Sequence, residues 1–121
     1  MANKRLLVID DEPAFGEFVK EVAERLGYEV RVTVRADEFA EIYEAFAPTV
    51  IVMDVVMPEV DGIELVQWLA QEKCQAKILI VTGYNPHYAD AAKRLVSAGD
   101  LPSVETLTKP ISLADLRAAL A

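Results

Sequence analysis

The 121-residue sequence predicts an α/β domain in which a parallel sheet is buried between helices. Three observations carry that prediction. Short, uninterrupted apolar runs recur at Leu6–Ile9, Val50–Met53 and Ile78–Val81, too short for independent helices and bounded by turn-forming residues. A strand that is apolar at every position, rather than at alternate ones, needs cover on both faces, as in parallel sheets. Between the runs lie longer stretches whose apolar residues recur at helical spacing.

Taken in order, Arg5 to Ile9 is the first strand, and it ends directly on Asp10-Asp11-Glu12. Pro13 suits the first turn of a helix, where its missing N–H donor costs nothing. Phe15, Phe18, Val19, Val22 and Leu26 then mark an apolar helical face that Gly27 closes. Tyr28 to Thr33 alternates polar and apolar side chains, as a half-exposed edge strand does. A second helix carries Phe39, Ile42, Tyr43 and Phe46 and stops before Pro48.

The central strand, Val50 to Met53, ends on Asp54. Pro58 to Gly62 reads as a loop, and Ile63 to about Cys74 as a third helix through Val66 and Leu69. Ile78 to Val81 is the fourth strand, ending at Thr82-Gly83. Asn85-Pro86 begins a fourth helix with Ala91, Ala92, Leu95 and Val96 inward, closing near Gly99. Val104 to Thr108 is the last strand, leading into Lys109-Pro110. Ser112 caps a final helix through Leu113, Leu116 and Leu120, with Asp115 in a capping-box-like position. Five strands thus alternate with five helices in a single domain over residues 1–121.

Composition narrows the function. Half the residues, 53%, are hydrophobic, which argues against disorder. No apolar run reaches membrane-spanning length, and Lys4-Arg5 leads into too short an apolar stretch for a secretion signal, so the cytoplasm is expected. The net charge is −8, from 20 acidic against 12 basic residues, and no basic cluster suits direct nucleic-acid binding. The single cysteine, Cys74, excludes an internal disulfide and reads as a reduced filler on the third helix. His87, the single histidine, reads as exposed polar surface near the start of the fourth helix.

The unusual residues fall at one end of the strands. In open α/β sheets, ligands bind beyond the carboxyl ends of the strands. Asp10 and Asp11 follow the first strand, Asp54 ends the third, Thr82 the fourth, and Lys109 follows the fifth. Clustered carboxylates repel one another unless a proton or cation intervenes. Hard oxygen donors suit Mg²⁺ or Mn²⁺, which leave positions open for phosphate oxygens. Lys109 adds a point positive charge and Thr82 a hydroxyl donor, which completes the parts for phosphoryl transfer onto the Asp54 carboxylate. A buried Asp54 merely neutralised by a nearby cation is the plainer alternative.

These motifs together resemble the receiver domain of the two-component response regulators, over essentially the whole chain. The matching residues are Asp10-Asp11, Met53-Asp54-Val55-Val56-Met57-Pro58 with Asp61-Gly62, Val81-Thr82-Gly83 and Leu107-Thr108-Lys109-Pro110. The resemblance implies a flavodoxin-like three-layer sandwich with strand order 2-1-3-4-5. It implies that Asp54 accepts a phosphoryl group from a sensor histidine kinase or a histidine phosphotransfer protein. Asp11, Asp54 and the main-chain carbonyl of Val56 would ligate Mg²⁺ (or Mn²⁺), with Asp10 acting largely through water. Lys109 and Thr82 would hold the phosphoryl oxygens, and phosphorylation would control a downstream protein partner or output domain. A monomer or a weak phosphorylation-dependent homodimer is the expected state. Such a domain catalyses only its own phosphorylation and dephosphorylation.

Three features depart from the family pattern. The aromatic usual three residues before the lysine is replaced by Thr106. Tyr84, two residues after Thr82, is the candidate substitute in gating the site or carrying the switch. The segment Gly99–Val104 is longer than the family's usual turn, which bears on partner choice. Within the fold, a pseudo-receiver acting by binding alone is the competing reading, but it typically lacks the site Asp or Lys present here. A haloacid-dehalogenase-like phosphatase uses a similar set, yet expects Asp-x-Asp after the first strand. A flavodoxin-type FMN protein needs a phosphate loop where this chain has Asp10-Asp11-Glu12.

Overall fold

Five strands form one parallel sheet in the order β2-β1-β3-β6-β7. The structure, a computed structural model, describes residues 4–54, 56–57, 60–82, 104–108 and 110–121. Its elements are β1 (Arg5–Ile9), α1 (Pro13–Arg25), β2 (Glu29–Thr33), α2 (Ala36–Phe46), β3 (Val50–Asp54), β4 (Val56–Met57), β5 (Val60–Asp61), α3 (Gly62–Gln71), β6 (Lys77–Thr82), β7 (Val104–Thr108) and a carboxy-terminal helix (Leu113–Leu120). Numbered among themselves, the sheet strands run 2-1-3-4-5, the expected order. The helix expected from Asn85, together with Tyr84, His87, the stretch 99–103 and Lys109, lies outside the described residues.

Strand periodicity divides the interior into two cores. Leu7, Ile9, Ile51, Met53, Ile78 and Ile80 face α2 and α3, where Phe39, Leu65 and Leu69 complete the cluster. Leu6, Val8, Val50, Val52, Leu79 and Val81 face the other way, against Val19, Val22 and Ala23 of α1 and Leu116, Ala119 and Leu120 of the last helix. Alternate residues point to opposite faces of a strand, so burial of both faces explains why these strands are apolar throughout.

Gly16 lies on α1 where the helix meets β2, and a Cβ built there would stand 2.7 Å from Val32 Cγ1. The carboxy-terminal helix is pinned at its end by two donors from the sheet side: Lys77 Nζ to the Ala119 carbonyl, and the Tyr28 hydroxyl to the Leu120 carbonyl, each at 2.9 Å. Both bonds satisfy carbonyls that a helix end leaves without intrahelical partners. At its start, Ser112 Oγ accepts from the Asp115 N–H at 3.0 Å, the expected cap.

The structure corrects two boundaries and the place of Cys74. A short antiparallel ribbon reaches into the expected loop of Pro58 to Gly62, with β4 and β5 pairing Val56 with Asp61 and Met57 with Val60. Helix α3 ends at Gln71 rather than near Cys74. Lys73 then takes a left-handed φ of 54°, and the Cys74 N–H bonds to the Leu69 carbonyl at 3.1 Å. Cys74 is therefore buried in the turn after the helix, 1% exposed and part of the core, and not on the helix itself.

Candidate functional site

Parallel register assembles the site. Ile9 pairs with Met53, so one step further along both strands brings Asp10 alongside Asp54. Asp54 in turn pairs with Val81, and Thr82 with Thr108. Residues scattered across the sequence thus reach one end of the sheet because all their strands run the same way.

The turn after β1 is shaped by its own side chain. The Asp10 N–H donates to the Thr33 carbonyl at 3.3 Å, extending the pairing with β2 by one residue. Asp10 Oδ1 then accepts the Glu12 N–H at 2.8 Å, closing an Asx-type turn that redirects the chain into α1. Glu12 is the N-cap of α1, followed by Pro13 in the first turn. Its carbonyl accepts from Phe15 at 3.1 Å and Gly16 at 3.3 Å, but its side chain makes no capping bond.

These constraints gather carboxylates. One oxygen each from Asp10, Asp11, Glu12 and Asp54 lie within 4.8 Å of one another. Asp10 is 1% exposed and Asp54 5%, whereas Asp11 and Glu12 are open to solvent. The cluster therefore has a buried floor and a wet rim. Four hard oxygen donors, two of them accessible, fit a divalent cation that keeps part of its water shell. Asp10, Asp11 and Asp54 come together as the sequence implied, while Glu12 joins them without having been assigned a role. The sequence signal was there in the run Asp10-Asp11-Glu12, of which the family motif covers only the two aspartates.

The other expected residues are placed to differing degrees. Val56 follows Asp54 by two positions and lies on β4, paired with Asp61. Thr82 ends β6, and its neighbour across the sheet, Thr108, is the residue before Lys109. Thr106 pairs with Ile80, one register step short of Thr82 in its parity, and is half-buried. Beside the site, Thr33 fixes the loop from β2 to α2. Its Oγ1 accepts the Arg35 N–H at 3.1 Å, and it meets Glu38 Oε1 at 3.2 Å. Arg35 also pairs with both Asp37 oxygens, at 3.1 and 2.7 Å, which holds the Asp37 carboxyl below its ordinary range.

The sequence pattern of the response regulator receiver domain matches residues 6–121. The chain belongs to that family. It is 32% identical over 116 residues to the alkaline phosphatase synthesis transcriptional regulatory protein PhoP of Bacillus subtilis, covering 96% of this chain and 46% of that protein. It is 32% identical over 117 residues to the response regulator receiver protein CpdR of Brucella abortus, covering 93% of this chain and 90% of CpdR. The crystal structure of a response regulator signal receiver domain from Bermanella marisrubri superposes with a TM-score of 0.85 at 26% identity, covering 98% of this chain and 96% of that one. The chain spans about half the length of several transcriptional regulators it matches. It is a receiver domain, a signalling module rather than an enzyme in the ordinary sense. No described helix is long and apolar enough to cross a membrane.

Proposed function

We propose that Asp54 is the phosphoacceptor of a phosphorelay, receiving its phosphoryl group from a phosphohistidine on a sensor kinase or a histidine phosphotransfer protein. The observation that carries this reading is the placement of Asp54: 5% exposed, at the end of the central strand, and grouped with three other carboxylates. A carboxylate oxygen of Asp54 attacks phosphorus, the N–P bond to the donor imidazole breaks, and the imidazole leaves with a proton. Hydrolysis of the acyl phosphate by water returns the carboxylate and releases inorganic phosphate.

Asp10, Asp11, Asp54 and the Val56 carbonyl would hold Mg²⁺ or Mn²⁺ on this reading. Such an ion supplies charge neutralisation between the carboxylates and the incoming phosphoryl oxygens. Lys109 pairs with those oxygens as a point charge, and Thr82 donates its hydroxyl to one of them after transfer. The phosphorylated state then controls a partner protein or an attached output domain. Family membership and the transcriptional regulators among the relatives support that last step.

The test uses Mg²⁺ with acetyl phosphate or beryllofluoride, on wild type and Asp54→Ala. Metal-dependent modification that the substitution abolishes supports the reading. A wild-type protein that neither reacts nor binds would instead act by protein contact alone.

A further inference from the structure

We infer that the cavity at the amino-terminal end of the sheet binds a free α-amino acid with an apolar side chain. The cavity has a volume of about 450 Å³ and lies between the end of α2 and the turn after α3. Thr49 and Ala76, the residues before β3 and β6, belong to its wall. Asp54 ends β3, so the carboxylate cluster is at the opposite end of the sheet, and the inference stands independently of the phosphorelay reading. Cavities of this size suit small ligands.

Backbone strain marks the same place. Among the described residues, Ala47 and Lys73 are the two non-glycine residues with positive φ, at 51° and 54°, and both line this cavity. Each closes a helix: the Ala47 N–H bonds to the Tyr43 carbonyl and the Lys73 N–H to the Ala70 carbonyl, both at 3.1 Å. Glycine is the usual and less strained residue at such a helix end. Residues held in this region gather at ligand clamps. Glycine at position 73 would close α3 equally well, but it would strip the cavity of an ammonium group.

The charges say what the cavity takes. Glu44 and Lys73 put a carboxylate and an ammonium on its walls, and among the described residues neither has an ion-pair partner. A ligand that carries one group of each sign satisfies both, its ammonium toward Glu44 and its carboxylate toward Lys73. The helix ends favour that ammonium too. The carboxyl end of a helix is partly negative, and neither α2 nor α3 has a basic residue in its last turn. Ala47, Pro48, Ala76 and the Tyr43 ring offer apolar surface to the ligand's side chain. The ring is braced edge-on against Trp68, with centroids 5.2 Å apart. Arg5 ties down two further wall residues, its N–H donating to Thr49 Oγ1 at 3.0 Å and its Nε to the Ala47 carbonyl at 2.9 Å. A wall fixed in this way spares the ligand the cost of ordering it.

The test is an NMR titration of the isotope-labelled protein with L-leucine and L-phenylalanine, followed through backbone amide shifts. N-acetyl-L-leucine and L-leucinamide serve as probes lacking the ammonium and the carboxylate respectively. At least one of the two amino acids should shift the amides of Ala47, Lys73, Gln75 and Ala76, and both derivatives should bind more weakly. Glu44→Gln and Lys73→Gly should each weaken binding by roughly tenfold, the scale of a lost charged hydrogen bond. Lys73→Gly should at the same time raise the melting temperature, because it relieves the left-handed strain. A residue serving the fold alone would not trade affinity for stability in this way.

The inference is overturned if neither amino acid shifts the cavity amides at concentrations up to about 10 mM, well above a millimolar dissociation constant. It also fails if either derivative binds as tightly as L-leucine, since two-point recognition would then be absent. Binding by Lys73→Gly that equals wild type, or a melting temperature that does not rise, overturns it as well.

Discussion

Thr106 sits beside Ile80 in the parallel pairing of β7 with β6, and its hydroxyl oxygen is buried without a hydrogen-bond partner. Among the described residues it is the one buried side-chain oxygen in that condition. It also stands where receivers usually carry an aromatic ring. A buried hydroxyl without a partner costs about 1–3 kcal/mol. Thr106→Val keeps the β-branched shape and should therefore stabilise the resting protein by about 1 kcal/mol, read as a higher urea midpoint at unchanged slope. A lower midpoint would show that the hydroxyl is satisfied in solution.

Gly16 works against helix propensity inside α1, where glycine costs about 1 kcal/mol relative to alanine. The 2.7 Å separation that a Cβ would have from Val32 Cγ1 explains its place. Gly16→Ala should destabilise the protein by roughly 1–3 kcal/mol, because overpacking outweighs the gain in propensity. The second substitution Val32→Ala should recover part of that loss, in a double-mutant cycle of denaturation midpoints.

Ala47 ends α2 in the left-handed conformation, at φ 51°, where a Cβ is strained. Its carbonyl accepts from Arg5 Nε at 2.9 Å, so the turn is anchored to β1. Ala47→Gly should raise stability by about 1 kcal/mol, the strain relieved exceeding the entropy added to the unfolded chain. Thermal unfolding of the two proteins in parallel decides it.

Tyr43 packs edge-on against Trp68, with ring centroids 5.2 Å apart. Burial pushes its phenol well above the ordinary 10.0, and the neighbouring Cys74 thiol and Glu72 carboxylate add to the shift. The neutral phenol is thus favoured by folding. Its contribution to stability is complete below the unfolded value of about 10 and falls as pH rises above it, since only the unfolded chain then ionises freely. Tyr28 is raised in the same direction by burial. Tyr43→Phe should make the decline in stability between about pH 9 and 11 shallower, measured as urea midpoints across that range.

At the site, carboxylate repulsion sets the direction. With one oxygen from each of four acids within 4.8 Å, Mg²⁺ should raise the melting temperature of the wild type. A free concentration of one hundred times Kd corresponds to about 2.7 kcal/mol. Asp54→Asn should stabilise the metal-free protein by about 1 kcal/mol and blunt the response to Mg²⁺. If Asp54→Asn destabilises instead, attraction between Asp54 and a cation such as Lys109 outweighs the repulsion.

The strands were legible because burial on both faces leaves a plain mark, as in Leu6-Leu7-Val8-Ile9 and Ile78-Leu79-Ile80-Val81. Asp10 and Asp54 were legible for the converse reason: a charged group ending such a run needs a purpose. The ribbon of Val56–Met57 with Val60–Asp61 was not, since two-residue pairings leave no periodicity to detect. The end of α3 was also missed. No glycine marks it, and Lys73 takes the left-handed position that glycine usually signals.

The sequence by itself determined the layered α/β architecture and the identity of the site's aspartates, because periodicity and the cost of burying charge are both local properties. Only the tertiary structure decided which of the neighbouring acids share the site. Register, not spacing, brings Asp10 alongside Asp54, and the turn bonded through Asp10 Oδ1 swings Glu12 into the same cluster. A chain can announce the charges it carries, but the distances among them are set by the pairing of strands far apart in sequence and by the turn bond that follows the first of them.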